Sequence, residues 1–406
     1  MANNPFQQLN VIRNASKKGK RIVDCYRLLY KSQLWLSLNK KEELNVLGHH
    51  TDYVIEQLKQ GTFRFQDNAI SIEMKRKLLE LLYTILLHIY EPVLERHHCF
   101  DNHCLPNHQN VCRYMKKNWA KSNWYIRGDV QVDIRNLSHS ILLKTIASKI
   151  KDTRFRSLIH NAITNFSMLS ETKALKKVVN KLSRLLVNIY FIPLDNAILY
   201  DKNIRQYVRY HQTLLIGVNT SRRISEEVKA SIHYEFQKNL CIPKQNINVQ
   251  HIHGRKPITL GDYELKFSPH TKAGCRKLTI TISKSKVFEF ARNRGYGSLQ
   301  NFQATHRPYL VNKKDVEIVS VYNNELKDFA RLFTNSDSIH LLHKLFKLAE
   351  KSFIQTIALK RKSTASKVAK QLRKPRQGRL TIVHKDDDNN KKHHVFIMVK
   401  DLHFSK

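Results

Sequence analysis

The stretch Tyr207–Val218, YVRYHQTLLIGV, decides how the rest of the chain is read. It opens with β-favouring residues, passes through a short polar turn and closes in an apolar run. That is the pattern of a hairpin with at least one buried strand. Upstream, Trp124–Val132 (WYIRGDVQV) alternates and is rich in β-formers, so it reads as a further strand. Around these strands the apolar spacing is helical. Helices are expected over 20–47, over Asp52–Lys59, and over Glu73–Tyr90 with a stop at Pro92. Others are expected over Ile141–Ile150, Arg154–Asn165, Lys173–Asn188 running into Ile189–Leu194, and Ser225–Asn239, with Glu226 and Glu227 in the first turn. Short strands follow up to Ile282. From Asn323 to Arg373 the pattern is almost wholly helical and very basic. The fold class is therefore α+β.

Composition sets the partner class. The 406 residues hold 71 Lys+Arg against 33 Asp+Glu, a formal net charge of +38 spread along the whole length. A field of that sign attracts polyanions, and neutralising phosphates releases condensed counterions, so binding should weaken steeply with salt. Hydrophobic residues at 41% allow real cores and exclude a disordered basic tail. Only 11 Gly and 9 Pro argue against a loop-rich β fold. No run of about 18 apolar residues is seen, so no membrane partner is expected. The six cysteines are irregularly spaced, and no apolar segment follows the basic stretch Lys17–Arg21, which points to a reduced compartment.

Several stretches, taken in order, resemble the proteins encoded by group II introns. Leu58–Phe65 (LKQGTFRF) looks like the start of their finger region, and Thr84–Phe100 (TILLHIYEPVLERHHCF) like a helix ending "EPIFEP…HGF". Trp124–His139 is similar to the first palm motif, and Leu182–Asp195 (LSRLLVNIYFIPLD) to "SPLLANIYLNELD". The hairpin at Tyr207–Val218 sits where the catalytic YADD hairpin belongs. Leu260–Leu265 (LGDYEL) is similar to "FLGYEI", and Thr356–Lys367 (TIALKRKSTASK) to the "TLAxKHK" helix end of the maturase domain X. The resemblance implies an N-terminal and finger-like helical region over 1–115, a degenerate reverse-transcriptase palm over 116–283, and a helical thumb and domain X over 284–375. The composition of 376–406, a low-complexity stretch Lys385–His394 flanked by two short apolar runs, reads as a polar C-terminal tail.

The departures from that family decide the expected activity. Its polymerase chemistry uses two Mg²⁺ ions about 3.5–4 Å apart, which need hard carboxylate oxygens. Asp129 keeps the first aspartate, but the YADD position reads Tyr210-His211-Gln212-Thr213, so Gln212 and Thr213 replace both later carboxylates. The "PQG" loop aligns with Lys177-Val178-Val179, and "FDNIDH" has become Ile134–His139, with Asp133 out of register. The segment between Phe65 and Glu73 is also too short for the family's finger strands. These losses predict a protein that is not an enzyme, has no catalytic metal or cofactor of its own, and leaves Mg²⁺ to the RNA.

What remains is an RNA-binding scaffold. The resemblance implies intron-containing RNA as partner, a role in splicing, and an organelle, a plastid before a mitochondrion. No nuclease module is expected after domain X. Over Leu341–Lys362 the residues Leu342, Leu345, Phe346, Leu348, Phe353, Ile357 and Leu359 are expected to face inward. Lys344, Lys347, Lys351, Lys360, Arg361, Lys362, Lys367, Lys370 and Arg373 are the candidate RNA contacts, with Arg361 able to grip a phosphate in bidentate fashion. Two other functions stay open: an active reverse transcriptase, and a ribosome- or rRNA-associated protein using the same scaffold. The cluster His97, His98, Cys99, His103, Cys104, His108 and Cys112 has zinc-ligating chemistry but no standard spacing, so an ordinary polar loop is preferred. Gly295-Tyr296-Gly297 reads as a turn, and Asp386-Asp387-Asp388 as a solvated acidic run.

Overall fold

A computed structural model describes residues 4–38, 48–100, 108–119, 122–130, 132–210, 212–243, 245–252, 257–267, 277–334, 336–373, 378–385 and 391–402. His103, Cys104, His211, Cys275, Lys374 and Asp386-Asp387-Asp388 lie outside them. The chain is mixed α+β, as the patterning predicts. It divides into two compact units: Met1–His108 with Lys121–Ile252, and Gln109–Ala120 with His253–Lys406.

The first unit is a helical layer on one face of a five-stranded sheet. Its strands are β1 (Cys99–Phe100), β2 (Trp124–Asp129), β3 (Ile204–Tyr210), β4 (Thr213–Val218) and β5 (Asn246–His251), in the order β1-β3-β4-β2-β5. Only the β1–β3 pair is parallel. Alternation along each strand sends Ile126, Tyr207, Leu214, Ile216 and Ile247 into one core with the helices.

The central helix of that core, Ile72–Arg96, starts where Ser71 Oγ accepts the Met74 amide at 3.3 Å. Leu78, Leu79, Leu82, Ile85, Leu86 and Ile89 are fully buried along it. Each such side chain contributes roughly 1.5–3 kcal/mol of transfer free energy. The helix does not stop at Pro92. It runs through it to Arg96, because Pro92 and Leu94 are themselves buried and the packing outweighs the one lost backbone bond. Helix Lys173–Tyr190 packs beside it through Leu175, Val178, Val179, Leu182, Leu185 and Leu186, then kinks at Phe191 into Ile192–Tyr200. The 173–200 stretch is long and apolar enough to cross a membrane by length and composition, but 56% of its most apolar window is buried inside the protein.

Two expectations fail at the ends of helices. The described part of the 20–47 segment, up to residue 38, holds no long helix. Gly19, at φ 79°, ends a helix over Pro5–Lys17, capped by Asn4, and Ile22 pairs with Ile150 in a parallel bridge. Only short turns follow at Tyr26–Tyr30 and Ser32–Leu36. The helix expected from Ser225 begins earlier, at Arg222, because Ser221 caps it, so its first turn holds no acid.

The second unit contains the His108–Asn118 helix from Gln109 onward, a three-stranded antiparallel sheet, and the C-terminal helices. The sheet is β6 (Ile258–Leu260), β7 (Tyr263–Phe267) and β8 (Leu278–Ile282). It groups with the helices rather than with the hairpin sheet, in the compact unit that takes up at His253. The physical reason is hydrogen bonding: Ile280 N donates to Asp337 Oδ2 at 2.8 Å, Ile282 N to Ser338 Oγ at 2.9 Å, and Tyr263 OH to the Leu332 carbonyl at 3.2 Å. The helices are Lys284–Asn293, Asp315–Ala330, Ile339–Lys360 and Ala365–Leu372, so the described residues from 323 to 373 form several helices rather than one nearly continuous helical run.

The expected polar tail is also structured. Beyond the short pair β9 (Gly297–Ser298) and β10 (Gln303–Ala304), the chain forms a final hairpin, β11 (Thr381–Lys385) and β12 (Lys391–Val395). Its apolar runs are core: Leu380, Ile382, Phe396, Ile397 and Val399 are buried. Phe396 lies against Tyr322 and Phe353, and Asn323 ties the segment down through Val395 O and Ile397 N, both at 2.9 Å.

Candidate functional site: the hairpin opposite Asp129 and the basic helices

The turn of the β3–β4 hairpin sits beside the end of β2. Asp129 is paired in register with Thr213 on one side and Asn246 on the other. The amide of Val130 donates to Gln212 O at 2.8 Å, and Gln212 Nε2 donates to the Val132 carbonyl at 3.1 Å. Antiparallel pairing thus collects Asp129, Gln212 and Thr213 at one place.

The Asp129 carboxylate is already engaged. Arg127, two residues back and so on the same strand face, reaches it with both terminal nitrogens, at 2.7 Å to Oδ1 and 2.6 Å to Oδ2. Thr213 Oγ1 donates to Oδ1 at 3.0 Å. The cation at this carboxylate is a guanidinium, and its cross-strand neighbours are a hydroxyl and an amide. That donor set does not fit a two-magnesium site, which needs several carboxylate oxygens around the ions. Asp133 is turned to Arg135, at 2.5 Å. Among the described residues no group of three His, Cys, Asp or Glu side chains is placed to hold a metal ion.

Behind the hairpin lies a buried polar cluster that the sequence reading did not single out. Arg209 of β3 and Asp195 are both buried, paired at 2.7 Å and 3.0 Å. Tyr207 OH donates to Asp195 at 2.6 Å, and Arg209 also donates to Asn188 Oδ1 at 2.6 Å. Charges taken out of water survive only with such full pairing. Burial alone would push the Arg209 pKa down, but Asp195, with Cys99 and Tyr207 adding to it, holds it well above its ordinary value. His97, close by, is buried, and that burial lowers its pKa. The signal was faint in the sequence: an Arg among β-formers and an Asp at the end of an apolar helix.

The His/Cys cluster does not come together among the described residues. His97 and Cys99 belong to the first unit, where Cys99 Sγ contacts Asn188 Oδ1 at 3.6 Å. Cys112 is buried in the second unit, and that burial pushes its thiol up to about 12.

The nine basic candidates of the C-terminal helices divide into two groups. Lys344, Lys347, Lys362, Lys367 and Lys370 are exposed and have no carboxylate partner among the described residues. Lys351 is also exposed and stands 4.3 Å over the Phe302 ring. The other three are spoken for. Asp315 takes Lys360 and Arg361 at 2.7 Å each, and Arg373 pairs with Glu350 at 3.1 Å. Burial alone would raise the Asp315 pKa, but the hydrogen bonds from Arg361 and Lys360 outweigh it and hold the carboxyl below its usual range. Arg361 therefore does not present a free fork. The inward face is as expected except for Leu359, which is 46% exposed.

These basic helices rest on a cage of aromatic rings. Arg307, 1% exposed, pairs with Glu325 at 2.9 Å and lies over the rings of Tyr296, Tyr309 and Tyr322. Tyr296 and Tyr322 stack at 5.3 Å.

No family model matches the chain. Group II intron-encoded protein LtrA of Lactococcus lactis subsp. cremoris is 22% identical to it over 417 residues, covering 77% of this chain and 68% of that protein. The uncharacterized 91 kDa protein in cob intron of Schizosaccharomyces pombe is 30% identical over 210 residues, 46% of this chain and 24% of that protein. The chain is thus similar to intron-encoded proteins, a group II intron-encoded protein among them.

Proposed function

We propose that this protein binds intron RNA and promotes its folding and excision, and that it does not polymerise DNA. The observation that carries the second half is the Asp129 carboxylate, held by Arg127 and Thr213 beside a turn with Gln212 where a metal site would need further acids. The first half is supported by the kinship with intron-encoded proteins and by the formal charge of +38. On this reading the first unit derives from fingers and palm, and the second from thumb and domain X. The catalytic Mg²⁺ of splicing belongs to the RNA. The protein lowers phosphate repulsion where the RNA folds compactly. Its compartment would be an organelle, a plastid before a mitochondrion, and the intron is group II or derived from it.

Primer extension with the purified protein, Mg²⁺ and a primed RNA template tests the absence of synthesis. No product above background is expected, and robust templated cDNA would overturn it. Crosslinking in the native compartment followed by RNA sequencing tests the partner. Intron RNA should dominate. Ribosomal RNA with intron RNA absent would replace the splicing role with a ribosome-associated one.

A further inference from the structure

Phe302 is an exposed aromatic in a backbone conformation that a bulky residue avoids. It sits at φ 54° and is 36% exposed. L-residues with a large side chain rarely enter that region, and when they do the surrounding structure must enforce it. The enforcement here is the hairpin of β9 and β10. Gly297 takes φ 110°, and a Cβ there would collide with the Gln303 carbonyl oxygen, so the strands approach as closely as only glycine permits. The base of the hairpin is anchored as well: Thr305 Oγ1 donates to Gly295 O at 3.1 Å and Ser352 Oγ to Thr305 O at 2.6 Å. A rigid base thus presents a strained ring at the surface.

The cations of one helix face run up to that ring. Lys351 lies 4.3 Å over the ring, and Lys347 and Lys344 follow on the same face of the helix at i−4 and i−7. None of the three has a carboxylate partner among the described residues. Glu350, the nearest acid on that helix, is turned to Arg373. Like charges at this spacing repel unless a polyanion covers them. With Lys351 over one face of the ring, a base would stack on the opposite face while phosphates meet the lysines, the combination that binds unpaired nucleic acid.

We propose that Phe302 is a stacking platform for an unpaired nucleotide of the bound RNA, with Lys344, Lys347 and Lys351 taking the neighbouring phosphates. This rests on the RNA-binding reading above and names the part of the RNA, a looped or single-stranded base, that the second unit holds.

The test compares a short unpaired RNA oligonucleotide with a blunt RNA duplex, titrated against the full chain at several salt concentrations. Phe302→Gly removes the ring and also relieves the backbone, so it cannot lose binding by straining the fold. It should weaken binding of the unpaired RNA by about tenfold, with the salt slope unchanged and duplex binding nearly unaffected. Its melting temperature should equal or exceed that of the parent. Phe302→Trp should retain affinity. By contrast, Lys344→Gln with Lys347→Gln should flatten the salt slope. Unchanged affinity of Phe302→Gly for unpaired RNA, an equal loss on the duplex, or a lowered melting temperature would each overturn the proposal. If the parent protein binds neither RNA, the RNA-binding reading fails first, which is a different result.

Discussion

Asp315 shows how single residues divide the basic surface into working and occupied charge. It holds Lys360 and Arg361 at 2.7 Å each, and these two cations keep its carboxyl below the usual range despite its burial. Asp315→Asn should release both cations to RNA, steepening the salt dependence of binding. It should also cost about 1 kcal/mol of stability at neutral pH, since the pair is partly exposed. Because the folded pKa is lowered, the contribution is complete above the ordinary aspartate value of about 4 and fades as pH falls through the folded value. Thermal melts of parent and variant should therefore converge in acid. Deep in the first unit the stakes are larger. Arg209→Met strands Asp195 without its cation in a buried site, a change worth roughly 3–5 kcal/mol. Chemical denaturation checks it, and a loss below about 1 kcal/mol would mean that water reaches Asp195.

Helix ends carry their own predictions. The helix Ile339–Lys360 finishes with Ser363 N bonded to Ala358 O at 2.9 Å and Lys362 N to Leu359 O at 3.2 Å. Lys362 occupies the left-handed position, at φ 47°, that glycine usually fills. Lys362→Gly should stabilise the chain by about 1 kcal/mol, read as a higher melting temperature. Elements also show where the sequence could be read. The hairpin at Tyr207–Val218 and the Ile72–Arg96 helix were legible because their apolar residues repeat with the right period over many positions. Pro5–Lys17 was not, because Leu9 is its one large aliphatic residue that is buried. The tail was misread for another reason. Two short apolar runs flank a charged stretch, and only tertiary contact with Tyr322 and Phe353 shows that they are core.

At the scale of the whole molecule, the candidate site was half legible. Spacing placed Gln212 and Thr213 in a hairpin turn, and the structure sets that turn against Asp129. The Arg127 latch was available too, since a period of two puts residues 127 and 129 on one strand face, but nothing in the sequence says which cation an acid chooses. The pairing of Lys360 and Arg361 with Asp315, 45 and 46 residues away, needed the fold. So did the Phe302 platform, whose backbone angle leaves no trace in composition. The charge of +38, in contrast, is a property of the chain as a whole and needs no fold to act on a polyanion.

In the proposed function the scaffold handles intron RNA while Asp129 does no chemistry. The most direct measurement is the excision rate of an intron, identified by crosslinking to this protein, from its precursor transcript at low Mg²⁺. The parent protein and Asp129→Asn should accelerate excision equally over RNA alone. Acceleration by the parent that vanishes in Asp129→Asn, or no acceleration by either, would contradict it.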